Sequence, residues 1–214
     1  MKVISDIRLY KSSEIDNRSG ISNKALNLSL HRVVMKLREY GFSLGEYDHI
    51  YMNFTTMKPA DSIELIDKAD PYHPWYRYCD IGVSKNEYEN LENSNFVFEK
   101  LKIALLNLFD MQNIIEQAFE EAKQGAEMLM CFKKKKIAKG TAKVYLRLLD
   151  NGNYLPILRV TNSSENEVFR IDLPETIDLN IIGEIQLSSK KVTIKPRRNV
   201  FAKELQPISF EIKL

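Results

Sequence analysis

Hydrophobic and polar positions follow two periods along this chain, and the switches between them divide it into elements. Residues 3–10 are rich in β-branched side chains and predict a strand, and the polar run Ser12, Ser13, Asn17, Ser19 and Gly20 predicts the loop after it. Over residues 23–40, Leu26, Leu30, Val33, Val34 and Leu37 recur at three and four positions, which places them on one face of a helix. Gly41 then suits the left-handed position that closes a helix. In residues 49–56, Ile50, Met52 and Phe54 alternate with Tyr51, Asn53 and Thr55, the period of a half-buried strand, and residues 77–84 predict another strand.

The longest periodic stretch covers residues 95–132. Leu101, Leu105, Leu108, Ile115, Ala118, Phe119, Ala122, Ala126 and Leu129 keep the helical spacing. They predict either one long central helix or a helical hairpin broken near residues 107–111. The remainder is β-rich. Ala142, Val144, Leu146 and Leu148 alternate with Lys143, Tyr145 and Arg147, and Asn151-Gly152 supplies a hairpin turn into a strand at 154–161. Strands are also expected at 167–173, at 182–187 and 191–195 as a second hairpin, and at 209–214.

These elements lack a regular βα alternation, which argues against a doubly wound parallel sheet. The expected class is α+β: an antiparallel β-rich C-terminal half packed with the long helix or hairpin and an N-terminal strand-helix-strand region. The chain divides at 1–132 and 133–214, with the two regions packed as one compact unit. No repeat of solenoid period interrupts this reading.

Composition narrows the classes. Of 214 residues, 44% are hydrophobic and 28% charged, which excludes a disordered chain, and eight Gly with seven Pro exclude collagen-like designs. No apolar run reaches transmembrane length, so no membrane association is expected, and acids near the N-terminus argue against a secretory signal. Cys79 and Cys131 are too few for a disulfide framework or a thiolate zinc site. A cytoplasmic protein with reduced thiols is expected.

Charge is unevenly spread. Residues 1–130 hold 15 Lys and Arg against 20 Asp and Glu, a net −5, whereas residues 131–214 hold 16 against 9, a net +7. The run Lys133, Lys134, Lys135 and Lys136 reads first as the solvated end of the long helix. Its functional alternative is attraction of phosphate or an acidic partner.

Catalytic signatures are missing. His31, His49 and His73 are dispersed, without HExxH or CxxC spacing, and neither GxSxG, GxGxxG nor GxxxxGK[ST] occurs. Glu120-Glu121 reads as a charged helix face. No catalytic residue, metal site or cofactor is expected, and the one discontinuous enzyme site to weigh is His73, Cys79 and Asp80.

Residues 70–80, DPYHPWYRYCD, stand out instead. They hold the only Trp, with Asp70, Tyr72, His73, Tyr76 and Arg77 beside Trp75 and two prolines that stiffen the backbone. Tyr, Trp and Arg dominate binding hot spots because each joins a large contact area to a polar tip. These six residues are the candidate partner-binding site. The competing reading is a rigid loop whose rings cap the core. A second candidate is a basic patch of Lys133, Lys134, Lys135 and Lys136 with Arg197 and Arg198, which with Tyr145, Tyr154 or Phe201 would suit nucleic acid.

The segments HIYMNFTT, DPYHPWYRYCDIGVS, EMLMCFKKKK, LLDNGNYLP and IGEIQLSSKKVTIKPRRN together resemble the small cytoplasmic immunity proteins of bacterial polymorphic toxin systems, of the Bacillus type. The resemblance covers most of the chain. It implies a non-enzymatic role, in which one tight complex with a cognate toxin domain blocks that toxin's active site or delivery. If the toxin is a nuclease, the acids Asp61, Glu64, Asp67 and Asp70 would offer a phosphate-like face. A nucleic-acid-associated protein is the alternative.

Overall fold

Asn23 begins the first helix by accepting the Leu26 backbone N–H on its side chain at 3.1 Å, and Gly41 closes it at φ +73. Such local signals set the frame of the computed structural model, which describes residues 2–14, 17–66 and 70–214. Asp67 lies outside the described residues. The chain forms two units, Met1–Gln124 and Gly125–Leu214. The division falls upstream of residue 132 because Met130–Ile137 is a single strand of the second unit.

The first unit runs β1 (Lys2–Val3), β2 (Asp6–Ser12), β3 (Ser19–Gly20), α1 (Lys24–Glu39), β4 (Ser43–Gly45), β5 (His49–Thr55), β6 (Ile63–Ile66), β7 (Tyr76–Gly82), α2 (Lys85–Glu89), α3 (Ser94–Leu108) and α4 (Gln112–Ala122). Its main sheet has the order β3-β2-β5-β7-β6. Strands β2, β5 and β7 are mutually parallel, and β3 and β6 are antiparallel edges. Ile7, Leu9, Ile50, Met52, Phe54, Cys79 and Ile81 form one apolar face, each at most 5% exposed. The buried stripes of α1 (Leu26, Leu30, Val33, Leu37), α3 (Val97, Leu101, Leu105) and α4 (Ile115, Ala118, Phe119) supply the layer that covers it.

The long periodic stretch is a hairpin rather than one helix. Phe109 leaves helical geometry at φ −136 and ψ 134, and its ring packs edge-on against Phe42 at 5.3 Å. Helical spacing at Ala126 and Leu129 does not prolong α4, because Gly125 turns at φ +59 into a short 3-10 turn, Gly125–Glu127. The lysine run is therefore not a helix end. Lys133 to Lys136 lie in β8 (Met130–Ile137), where extended pairing to the next strand replaces the helical bonds expected.

The second unit continues with β9 (Gly140–Leu148), β10 (Tyr154–Asn162), β11 (Glu167–Asp172), β12 (Glu184–Leu187), β13 (Lys191–Lys195) and β14 (Ile208–Glu211). They form two antiparallel sheets, β11-β10-β9-β8 and β12-β13-β14. Gly152 closes the β9–β10 turn at φ +96, as the Asn-Gly signal predicts. The class is α+β. The parallel centre of the first unit is the feature that the lack of βα alternation hid.

Candidate functional site

Alternation along the three parallel strands sends Arg8, Tyr10 and Ser12 of β2, Tyr51, Asn53 and Thr55 of β5, and Tyr76, Tyr78 and Asp80 of β7 to the face opposite the helices. The register aligns Arg8, Tyr51 and Tyr78 in one row, and Tyr10, Asn53 and Asp80 in the next. Strand β5 is not half-buried as its pattern suggests: Tyr51 is 8%, Asn53 1% and Thr55 2% exposed. Neighbouring rings and polar side chains cover one another on this face.

The rings form a continuous array. Tyr51 stacks on Tyr76 with centroids 4.4 Å apart, and Tyr78 meets Tyr51 and Tyr76 edge-on, each at 5.5 Å. Tyr10 joins Tyr51 at 5.5 Å and Tyr78 at 5.8 Å. Two guanidinium groups lie over the rings, Arg8 over Tyr51 at 5.4 Å and Arg18 over Tyr78 at 4.2 Å. Burial raises the phenol pKa of Tyr51, Tyr76 and Tyr78, so all three stay neutral donors at physiological pH.

The aromatic loop feeds into this array. His73 meets Trp75 edge-on at 4.8 Å, and Trp75 lies 6.5 Å from Tyr76. Asp70 organises the loop: it accepts the Tyr72 N–H at 2.8 Å and the His73 N–H at 3.2 Å, and the Tyr76 hydroxyl donates to it at 3.2 Å. The Tyr72 N–H, followed by the His73 ring, holds its carboxyl below the usual aspartate value. Tyr72 is 85% and Trp75 39% exposed. Of the six predicted residues, Asp70, His73, Trp75 and Tyr76 contact or belong to the array, and Tyr72 stands exposed on the same loop. Arg77 does not join them: strand alternation turns it to the opposite face, where it is 7% exposed, donates to the Pro74 and Tyr76 carbonyls, and lies over Tyr47 at 5.0 Å.

A polar pocket adjoins the array at the C-terminal ends of the parallel strands. It is lined by Ser12, Glu14, Arg18, Asn53, Thr55, Met57, Lys58 and Asp80. Asn53 Nδ2 donates to Ser12 Oγ at 3.0 Å and to Asp80 Oδ1 at 2.8 Å, and Arg18 stands 3.8 Å from the same carboxylate oxygen. Among the described residues, Asn53 Oδ1 has no hydrogen-bond partner although it is buried. Clefts at the C-terminal ends of parallel strands are the usual ligand sites of sheets so built.

His73, Cys79 and Asp80 are not brought together. Cys79 is 0% exposed on the helix-covered face, and burial pushes its thiol up to about 12, whereas Asp80 faces the other way. The acids Asp61 and Glu64 are each tied to a lysine, Asp61 to Lys100 at 2.5 Å and Glu64 to Lys58 at 2.6 Å. Among the described residues, no group of three His, Cys, Asp or Glu is placed to hold a metal ion, and no helix is long and apolar enough to cross a membrane.

In the second unit, the Lys133 ammonium and the Arg197 guanidinium each lie 5.9 Å from the centre of the Phe132 ring, and Lys133 donates to the Gly183 carbonyl. A larger basic feature comes from the sheet register. Lys134 pairs opposite Lys143, Lys143 opposite Arg159, and Arg159 opposite Arg170, a row of four cations across four strands. Arg159 lies over Tyr145 at 5.2 Å. Periodicity marked these strands but not the row, since pairing joins residues far apart in sequence. Tyr10, Tyr51 and Tyr78 lie in three separate strand segments, and no local pattern links them. Comparison of the chain with family models, curated proteins and solved structures finds no match.

Proposed function

We propose that this protein acts by binding another protein, as an immunity protein binds a cognate toxin domain, and that the aromatic array of the first unit is the contact. The observation that carries this reading is the array itself: Tyr10, Tyr51, Tyr76 and Tyr78 run across three strands on the face opposite the helices and end in the partly exposed Trp75, with Tyr72 exposed on the same loop. Interlocked rings present rigid area with little side-chain entropy to lose on binding, and their hydroxyls supply orientation. The stiff, Asp70-capped loop holds Trp75 in place before a partner arrives. Co-expression with candidate polymorphic-toxin domains tests it. The wild-type chain should restore growth and purify as a stoichiometric complex. Tyr72→Ala with Trp75→Ala should lose both while keeping the fold. Protection unaffected by the double substitution moves the contact elsewhere.

The cation row favours a second reading, nucleic-acid binding by the second unit. Lys134, Lys143, Arg159 and Arg170 form a line suited to phosphates, with Tyr145 beside it for stacking. That reading predicts an affinity whose logarithm falls linearly with the logarithm of salt concentration. Absence of binding at low salt removes it.

A further inference from the structure

We propose that the pocket at the C-terminal ends of β2, β5 and β7 binds a free α-amino acid. The inference starts at Asn53. Its side chain is oriented by Asp80, because turning the amide over would set Oδ1 against the carboxylate that now accepts from Nδ2. That orientation leaves Oδ1 buried without a hydrogen bond among the described residues, on a residue 1% exposed that lines the cavity. A buried acceptor in this state lacks a donor, and a ligand that reached it from the pocket would supply one. Asp80 beside it adds a negative charge, and the Ser12 and Thr55 hydroxyls stand at the same end of the sheet. Acceptors of this kind, two of them adjacent, suit the three N–H donors of an ammonium group.

Charge at the lining then decides what carries the ammonium. Among the described lining residues Glu14 and Asp80 are acidic and Arg18 and Lys58 are basic, and Lys58 is already paired with Glu64 at 2.6 Å, which leaves Arg18 as the cation that faces a ligand. A lone amine would leave Arg18 without an anion to bind, and a phosphate would meet the two acids. A zwitterion satisfies both. Arg18 stands 3.8 Å from Asp80 Oδ1, a single short step between the negative and positive groups, as a carboxylate stands one carbon from the ammonium of an α-amino acid. Arg18 is also held from behind by the Tyr78 ring at 4.2 Å, so its guanidinium is fixed for carboxylate recognition. The cavity volume of about 270 Å³ is enough for a ligand of amino-acid size.

The free protein is sufficient for the test, which is independent of any protein partner. Pools of the L-α-amino acids at millimolar concentration are titrated while the Asn53 side-chain amide is followed by NMR. At least one amino acid should shift that resonance saturably. Its amide, which lacks the carboxylate, and its N-acetyl form, which lacks the ammonium, should each bind weaker by about tenfold or more. Arg18→Gln, at a partly exposed position, should reproduce the loss of the carboxylate contact without unfolding the chain. Asp80→Asn should reproduce the loss of the ammonium contact. No shift by any amino acid overturns the proposal, and so does an amide that binds as well as its parent, which would make the pocket a simple cation site. Should Asp80→Asn fail to fold, the derivative series on the wild-type protein still decides the outcome.

Discussion

Tyr51 and Tyr76 stack at 4.4 Å with their planes 13° apart, joining the central strand of the first unit to the strand that receives the aromatic loop. Tyr51 is 8% exposed and Trp75, at the far end of the same array, is 39% exposed. The two ends should therefore respond differently to truncation. Tyr51→Ala removes a packed ring and should lower unfolding stability by about 3–5 kcal/mol. Tyr72→Ala, at 85% exposure, should stay within about 0.5 kcal/mol of wild type. Urea denaturation of both variants checks the contrast, and a large loss at Tyr72 would mean that the loop belongs to the core.

Lys36 links α1 to α4. Its side chain is 5% exposed, and its ammonium reaches Glu39 at 2.5 Å and Glu121 at 2.7 Å, while Tyr40 donates to Glu121 at 2.5 Å. Burial pushes the Glu121 carboxyl up, but the bonds from Lys36, Tyr40 and Gln117 bring it below its ordinary 4.5. Burial likewise lowers Lys36, and its two carboxylates carry it above 10.5. A depressed carboxyl contributes stability that is present above pH 4.5 and is lost as pH falls through the folded value. A raised lysine contributes stability that is present below pH 10.5 and is lost as pH rises through the folded value. Lys36→Met should cost about 1–3 kcal/mol at neutral pH, less than a fully buried pair because both glutamates are partly exposed. It should also flatten the acid limb of stability against pH, measured by chemical denaturation at several pH values.

What could be read from sequence was what depends on near neighbours. The α1 stripe, the Asn-Gly turn and the β12–β13 hairpin each carry their signal within a few residues. The parallel pairing of β2, β5 and β7 depends on partners about 25 to 45 residues apart, as with Tyr10, Asn53 and Asp80, and no local pattern encodes it. Strand β8 was hidden because four successive lysines have no period of two. The polar face of β5 misled for a different reason. A strand with water on one side and a strand lined by a buried polar cluster both alternate apolar with polar, so Asn53 and Thr55 read as solvent-facing although they are buried. The loop around Trp75 was legible from composition alone, but the tyrosines that continue it were scattered over three strands.

Gly82 ends β7 beneath the turn of residues 59–62. Its N–H donates to the Ser62 carbonyl at 2.8 Å, and its own carbonyl accepts from Asp61 at 2.9 Å. An added Cβ would overlap the Pro59 carbonyl and the Ser62 hydroxyl. The backbone oxygen cannot swing aside as a side chain can, so Gly82→Ala should destabilise by about 1–3 kcal/mol. Thermal unfolding measures this directly, and an unchanged midpoint would show that the turn shifts freely.

The cation row of the second unit sets a cost that the fold carries without an internal counterion in the row. Lys134 faces Lys143, which faces Arg159, and the nearest acid to Arg159 is Glu167 at 3.7 Å. Like charges directly opposite on neighbouring strands destabilise a sheet, so replacing the central one should help folding. Lys143→Thr is expected to raise stability by about 0.2–1 kcal/mol in low salt. The gain should shrink as salt is added, since screening relieves the same repulsion in the wild-type chain. If the row exists to meet phosphates, the same substitution weakens nucleic-acid binding and makes its salt dependence shallower by about one unit of slope. Stability that rises while binding falls identifies a row kept for a ligand. Stability that falls would mean that the Lys143 stem, half-buried along β9, contributes more by packing than its charge costs.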